Sequence, residues 1–228
     1  MKKLIFLLLG IFAVASAMSQ NCEAYFPMKS GAFLETKSYN AKGKLTGTSR
    51  QTILSVDETA DGTVIRVKSE QLDEKDKPGF EQELEMRCKG DVFYMDMKNF
   101  LDPSTMGGMK DMEMKVDGLD LEYPGMLQPG QTLNDGNIQI SFMSSGMTMM
   151  TMSVRIYNRK VEGIESVTTP AGTFECYKLT FDSEVKTILK MTTKSVQWIA
   201  KNVGAVKTET FDKNGKSLGT TELTDFRQ

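Results

Sequence analysis

VEGIESVTTPAGTFECYKLTFD, residues 161–182, reads as one strand, a turn at Thr169-Pro170-Ala171-Gly172, and a second strand. Pro170 fixes φ for the turn and Gly172 supplies a permissive dihedral after it. Beyond the turn, Tyr177, Leu179 and Phe181 recur at every second position, the spacing of a half-buried strand. The flanking segments repeat this grammar. Alternation of period two dominates, and no long stretch carries the helical period.

Working outward, strands are predicted at 32–39, 47–56, 63–72, 80–88 and 92–97. More follow at 138–143, 148–159, 163–169, 173–182 and 185–191, and then at 196–200, 205–211 and 217–226. The joints carry turn chemistry: Asn40-Ala41-Lys42-Gly43, Asp61-Gly62, Lys77-Pro78-Gly79, Lys89-Gly90-Asp91 and Lys213-Asn214-Gly215. Short strands at this spacing predict a mainly β chain, a curved antiparallel meander forming a barrel or half-barrel, or else a sandwich. Tyr39–Lys44 echoes Phe211–Lys216. Two related halves would explain the echo, but so would two hairpins that need the same turn residues, which is the simpler account.

One segment breaks the pattern. From Asn99 through Gly136 the chain holds Pro103, Pro124, Pro129 and six glycines, without clear alternation. Asp102-Pro103 is suited to cap a short helix along which Met106, Met109 and Met112 recur every three residues, and Gly107-Gly108 weakens it. Leu121-Glu122-Tyr123-Pro124 resembles an extended edge segment. The region is expected to be an irregular or helical flap around residues 99–136, lying over one face of the sheet.

The same region holds an unusual composition: twelve of the 17 methionines fall between Met95 and Met152. Three readings compete. Met150, Met152, Val154 and Ile156 alternate with Thr151, Ser153, Arg155 and Tyr157, which is ordinary core patterning. A pliable apolar pocket lined by Met95, Met97, Met106, Met109, Met112, Met150 and Met152 is the second. A thioether site for Cu(I) at Met106, Met109, Met112 and Met114 is the third; the absence of histidine from the chain weighs against it.

At the N-terminus, Lys2-Lys3, an apolar run from Leu4 to Val14 and Ala15-Ser16-Ala17 make a basic region, a hydrophobic region and an A-x-A cleavage site. Residues 1–17 therefore read as a secretory signal too short to span a membrane, and 18–228 as a single β domain. A lipoprotein signal ending at Cys22 is the rival, disfavoured because Asn21 stands where a small residue is needed. The expected location is the periplasm or the cell surface. No later run is long enough for a transmembrane helix. The formal charge of −2 becomes −4 once Lys2 and Lys3 leave, and this mild acidity without basic clusters argues against nucleic acid or anionic lipid headgroups as partners.

Cys22, Cys88 and Cys176 all lie in the exported part, and an odd number leaves at least one thiol. Their spacing matches no zinc pattern. Cys88 ends an alternation in which Phe80, Gln82, Leu84 and Met86 face one way and Glu81, Glu83, Glu85 and Arg87 the other. Cys176 lies among aromatic neighbours, where a free cysteine acts as a small hydrophobe. The favoured pairing is Cys22–Cys88 with Cys176 buried and reduced; three unpaired thiols remain the alternative.

Catalysis finds little support. Without histidine there is no His-based triad and no histidine metal cluster. Met106-Gly107-Gly108 lacks the strand, helix and lysine of a phosphate loop. Glu81, Glu83 and Glu85 read as a solvated strand face, and Asp96 is the one acid whose strand context invites inspection. Trp198 could stack a sugar, although a lone tryptophan on an apolar strand belongs more often to a core.

The run Val161–Lys178, with its TPAGTF-x-C phrase, resembles the signature of exported Bacteroidetes proteins called TapB-like, or domain of unknown function 3108. The similarity extends from Asn21-Cys22-Glu23-Ala24-Tyr25-Phe26-Pro27 to the looser match at Trp198–Lys207. The resemblance implies a curved antiparallel sheet related to the lipoprotein-carrier half-barrels, and it brings no catalytic residues. The sequence thus points to a non-enzymatic exported binding protein, without cofactor or metal, whose concave face holds an apolar ligand such as an acyl chain. The alternative is an envelope interaction protein with a filled core. A pocket above about 300 Å³ lined by the methionines named above would favour the former, and a solid core would sink it.

Overall fold

The computed structural model describes residues 24–97 and 113–228. They form a single 13-stranded sheet in which all neighbouring strands are antiparallel. The strands are β1 (Phe33–Asn40), β2 (Leu45–Thr59), β3 (Gly62–Leu72), β4 (Pro78–Lys89) and β5 (Val92–Met95). Next come β6 (Glu113–Leu119), β7 (Leu121–Pro124), β8 (Gly136–Ser144) and β9 (Met147–Thr169). The last four are β10 (Gly172–Lys186), β11 (Lys190–Ala200), β12 (Gly204–Asp212) and β13 (Ser217–Arg227).

The sheet order runs β6-β8-β9-β10-β11-β12-β13-β1-β2-β3-β4-β5-β7. Its two edges, β6 and β7, are separated along the chain by Asp120 alone. A sheet whose opposite edges are joined by one residue has to curl until those edges meet, so the fold is a nearly closed barrel. The extended run 113–124 makes the closure: its first half bonds to β8 and its second half to β5. Arg87 on β4 holds the switch point through a 2.8 Å ion pair with Asp120.

This corrects the expected flap. Residues 113–124 are strand, and Leu121–Pro124 is indeed an edge; the proposed helical turn at Met106–Met112 lies outside the described residues. No α-helix occurs among the described residues. Alternation was present in Glu113-Met114-Lys115-Val116-Asp117, but Gly118 and the nearby prolines hid it.

Two other boundaries move. The strands expected at 148–159 and 163–169 are one 23-residue strand, β9, bent where its register with β10 slips near Asn158 and again near Glu162. Asn158 takes a positive φ of 54° there and donates to Asp182 at 2.7 Å. The strand expected at 185–191 is broken into the end of β10 and the start of β11 by a hairpin tip at residues 187–189, with Thr187 N–H donating to the Leu189 carbonyl at 2.9 Å. Its sequence, Thr187-Ile188-Leu189, contains no turn residue.

Three hairpins at one end of the barrel share a turn. Asn40 Oδ1 accepts from Lys42 and Lys44 N–H, Asp73 Oδ1 from Lys75 and Lys77, and Asp212 Oδ1 from Asn214 and Lys216. A positive φ follows in each, at Gly43, Asp76 and Gly215. The echo between 39–44 and 211–216 is therefore turn chemistry, and 73–77 is a third copy of it.

At the opposite end the N-terminal segment packs into the barrel. Ala24, Tyr25 and Phe26 are buried. Asn202 N–H bonds the Ala24 carbonyl at 2.9 Å, and the Tyr25 hydroxyl donates to the Gly125 carbonyl at 3.3 Å. The Tyr25 ring meets Tyr123 and Tyr177 at centroid distances of 6.0 and 5.8 Å. This end is apolar and aromatic.

Candidate functional site: the barrel interior

Side chains from eleven of the strands, together with Tyr25 and Phe26, surround an interior cavity of about 270 Å³. The period of two places them: Leu34 and Thr36 on β1, Ser49 and Gln51 on β2, Ser69 and Gln71 on β3, Gln82, Leu84 and Met86 on β4. The wall has two characters. Tyr25, Phe26, Phe93, Leu121, Tyr123 and Ile156 make an apolar side, and amides and hydroxyls make the other. The polar side follows from register: Gln197 pairs with Thr208 and Thr208 with Thr221, while Gln82 pairs with Ser69 and Ser69 with Gln51. Part of it is satisfied internally, Gln71 donating to Ser49 at 2.8 Å and Gln197 to Thr208 at 3.3 Å.

Arg159 is the unexpected member of this wall. It is 2% exposed and is the largest of the fully buried side chains. Its Nη1 donates to the carbonyls of Glu122 at 3.1 Å and Asn134 at 2.5 Å, and the guanidinium lies 4.7 Å over the Tyr123 ring. Glu122 belongs to the edge strand β7 and Asn134 precedes β8, so the arginine ties the two sides of the seam together. Sequence reasoning missed it because Arg159 stands in a run of alternating polar residues, Tyr157-Asn158-Arg159-Lys160. The positive-φ bulge at Asn158 turns Arg159, not Asn158, inward.

The predicted methionines are scattered. Met95 lines the cavity, joined by Met86. Met97 is buried and borders a different groove on the outer surface. Met152 is buried and Met150 half-buried in the packed core, facing Ile140 and Phe142, and neither borders the cavity. Met106, Met109 and Met112 lie outside the described residues, as does any copper site built on them. Met143, Met147 and Met149 sit at or near the β8–β9 turn.

The outer groove, about 670 Å³, runs along the seam and is more open than the interior. Asp96, Asp120, Glu122 and Asp135 border it with Arg87. No cluster of three or more metal-ligating acids, cysteines or histidines with suitable geometry occurs among the described residues. Trp198 is buried under two lysines: Lys178 and Lys207 stand 5.2 and 5.4 Å over its ring, and its indole N–H donates to Glu165.

Cys88 is disulfide-bonded, and Cys176 is free and fully buried. Burial pushes the Cys176 thiol up to about 11, with Glu165 and Glu175 adding to the effect. The expected partner of Cys88, Cys22, lies outside the described residues. The groups whose proton affinities shift, such as Glu35, Lys68, Asp73, Glu162 and Lys190, owe the shift to ion pairs and hydrogen bonds on the sheet surface.

Residues 29–223 match the family described as DUF3108-like, and the chain belongs to it. A protein described as exported, with a YmcC-like fold, from Bacteroides fragilis NCTC 9343 superposes with a TM-score of 0.74 at 22% identity, covering 91% of this chain and 100% of that one. A protein described as a lipoprotein from Parabacteroides distasonis gives the same values. At this identity the likeness establishes the fold. No curated protein matches the sequence.

Proposed function

We propose that this member of the DUF3108-like family is a non-enzymatic exported binding protein that holds a small, largely apolar ligand inside its barrel. The observation that carries the reading is the interior cavity, walled on one side by Phe93, Met95, Leu121 and Tyr123. At about 270 Å³ it falls slightly below the usual range for drug-sized ligands, so the occupant is short. The driving force is burial of apolar surface, worth about 25 cal/mol per Å². Export, to the periplasm or the cell surface, is supported by the signal-like residues 1–17 and by relatives described as exported or as lipoproteins. The test is native mass spectrometry of protein isolated from the exporting cell. A co-purifying small molecule, released on unfolding, is the expected result; protein that arrives bare and leaves a solvatochromic apolar dye unbound would remove the reading.

A second reading, an envelope interaction protein, draws on a specific surface feature. Ile188, Leu189 and Met191 at the β10–β11 tip are 92%, 79% and 60% exposed, and Met147 and Met149 are exposed at the β8–β9 turn. Exposed apolar side chains at neighbouring hairpin tips are a candidate contact surface. Replacing Ile188 and Leu189 by Ser would abolish such an association and leave ligand binding in the barrel intact.

A further inference from the structure

A buried cation in the wall of this cavity lacks a counter-ion among the described residues. Arg159 is 2% exposed and makes no ion pair with a carboxylate among the described residues. Its two hydrogen bonds both use Nη1, and Nη2 is buried without a hydrogen-bond partner. Tying the seam together accounts for Nη1. It accounts neither for the charge nor for Nη2. A guanidinium stays protonated in proteins, and a buried charge is retained at a cost unless something pairs with it.

The rest of the wall points the same way. In a chain with 30 acidic residues, none of the residues lining the cavity is Asp or Glu. Two lining residues are cationic, Arg159 and Lys207. Lys207 is already engaged, with Glu209 at 2.8 Å and with the Trp198 ring. Arg159 meets two carbonyls and the Tyr123 ring but no carboxylate among the described residues, so it is the one left without a counter-ion. An acidic protein that keeps acids out of its cavity and strands a guanidinium in the wall has built an electropositive interior.

We propose that the ligand is an anionic amphiphile, whose carboxylate or phosphate monoester becomes the partner of Arg159 Nη2 while its aliphatic chain lies along Phe93, Met95 and Leu121. The inference rests on the proposed binding function and names the ligand's chemical class. Because Nη2 is buried in the wall, binding includes a turn of the guanidinium toward the cavity. Size sets the chain: about 270 Å³ is the share of roughly nine waters at ~30 Å³ each, and a methylene is of similar size, so a chain of roughly eight to ten carbons fits. The amides of Gln51, Gln71 and Gln82 remain on the opposite wall.

The experiment is calorimetric titration of the mature chain with decanoate, decyl phosphate, 1-decanol and decyltrimethylammonium. The expected result is that at least one anion binds about tenfold or more tighter than the alcohol and that the cation binds weakest. The tighter anion identifies the headgroup as carboxylate or phosphate. Arg159→Met then removes the preference for anions while 1-decanol binding persists, a change of selectivity that a purely structural arginine would not produce. If that variant fails to fold, the wild-type series decides by itself. Equal binding of alcohol and anions, or preference for the cation, overturns the anionic ligand and leaves the apolar binding function standing. Failure of all four probes to bind overturns both.

Discussion

Leu121 lies against the α-carbon of Gly136 so closely that a β-carbon added to Gly136 would sit 2.6 Å from Leu121 Cδ2. The contact joins β7 to β8 where the edges of the barrel meet. The same added atom would lie 3.0 Å from Met97 Sδ. Shape thus does at this point what a hydrogen-bonded ladder does elsewhere, and Arg159 assists by bonding the carbonyls of Glu122 and Asn134. Gly136→Ala overpacks the seam and is expected to cost about 1–3 kcal/mol, read as a lower urea midpoint with unchanged slope. Adding Leu121→Ala should return part of that cost, so the two changes are less than additive in a double-mutant cycle.

Glu35 predicts the acid limb of the stability curve. It joins three strands, accepting from Arg50 Nε on β2 at 2.9 Å and from Thr224 Oγ1 on β13 at 2.9 Å, with Lys37 at 3.8 Å. Burial alone would push its carboxyl up, but these hydrogen bonds and the charges of Lys37 and Arg50 together hold it below its ordinary 4.5. A carboxylate lowered in the folded state contributes stability that is fully present above the unfolded value. That contribution is lost as pH falls through the folded value. Melting temperatures recorded from pH 7 to pH 3 should therefore drop below about 4.5 more steeply for the wild type than for Glu35→Gln. Parallel curves would show that the pair network adds nothing.

The cysteines separate by chemistry. Cys176, buried with its thiol pushed up to about 11, should resist iodoacetamide at pH 8 in the native chain and react once in denaturant. Cys88, being disulfide-bonded, should resist in both until a reductant is added. Peptide mapping without reductant is expected to return Cys88 linked to Cys22. Closing a loop of that length stabilises by about 4 kcal/mol in the chain-entropy account, so reduction should lower the melting temperature by several degrees.

Much of this fold could be read from alternation. Gln82, Leu84, Met86 and Cys88 fall on the inner face of β4, and Glu81, Glu83 and Glu85 are exposed. Leu121–Pro124 was legible as an extended edge, but the strand at 113–119 was missed because the glycines and prolines near it look like loop, when here they belong to an edge that changes partner. The site was less legible than the fold. The methionines drew attention by number, but a residue's number says nothing about which wall it joins. Arg159 was invisible because an alternating pattern predicts its face only if the register never slips, and β9 slips one residue before it. Only three-dimensional pairing reveals that a bulge has carried a cation inside.

The N-terminal segment supplies the last prediction. Tyr25 closes the apolar end of the barrel, its ring against Tyr123 and Tyr177 and its hydroxyl on the Gly125 carbonyl. Tyr25→Phe keeps the ring and removes one hydrogen bond, 3.3 Å long, leaving the carbonyl without that donor. The expected loss is about 0.5–1.5 kcal/mol. Tyr25→Ala removes the ring as well and opens the cavity toward the turn at residues 201–203. By analogy with other large-to-small core changes it should cost about 3–5 kcal/mol. Urea unfolding of the two variants separates the contributions. If Tyr25→Ala lost no more than Tyr25→Phe, the segment would be a passive cover, and the closed end would have to be held by Phe26 and the β11–β12 turn alone.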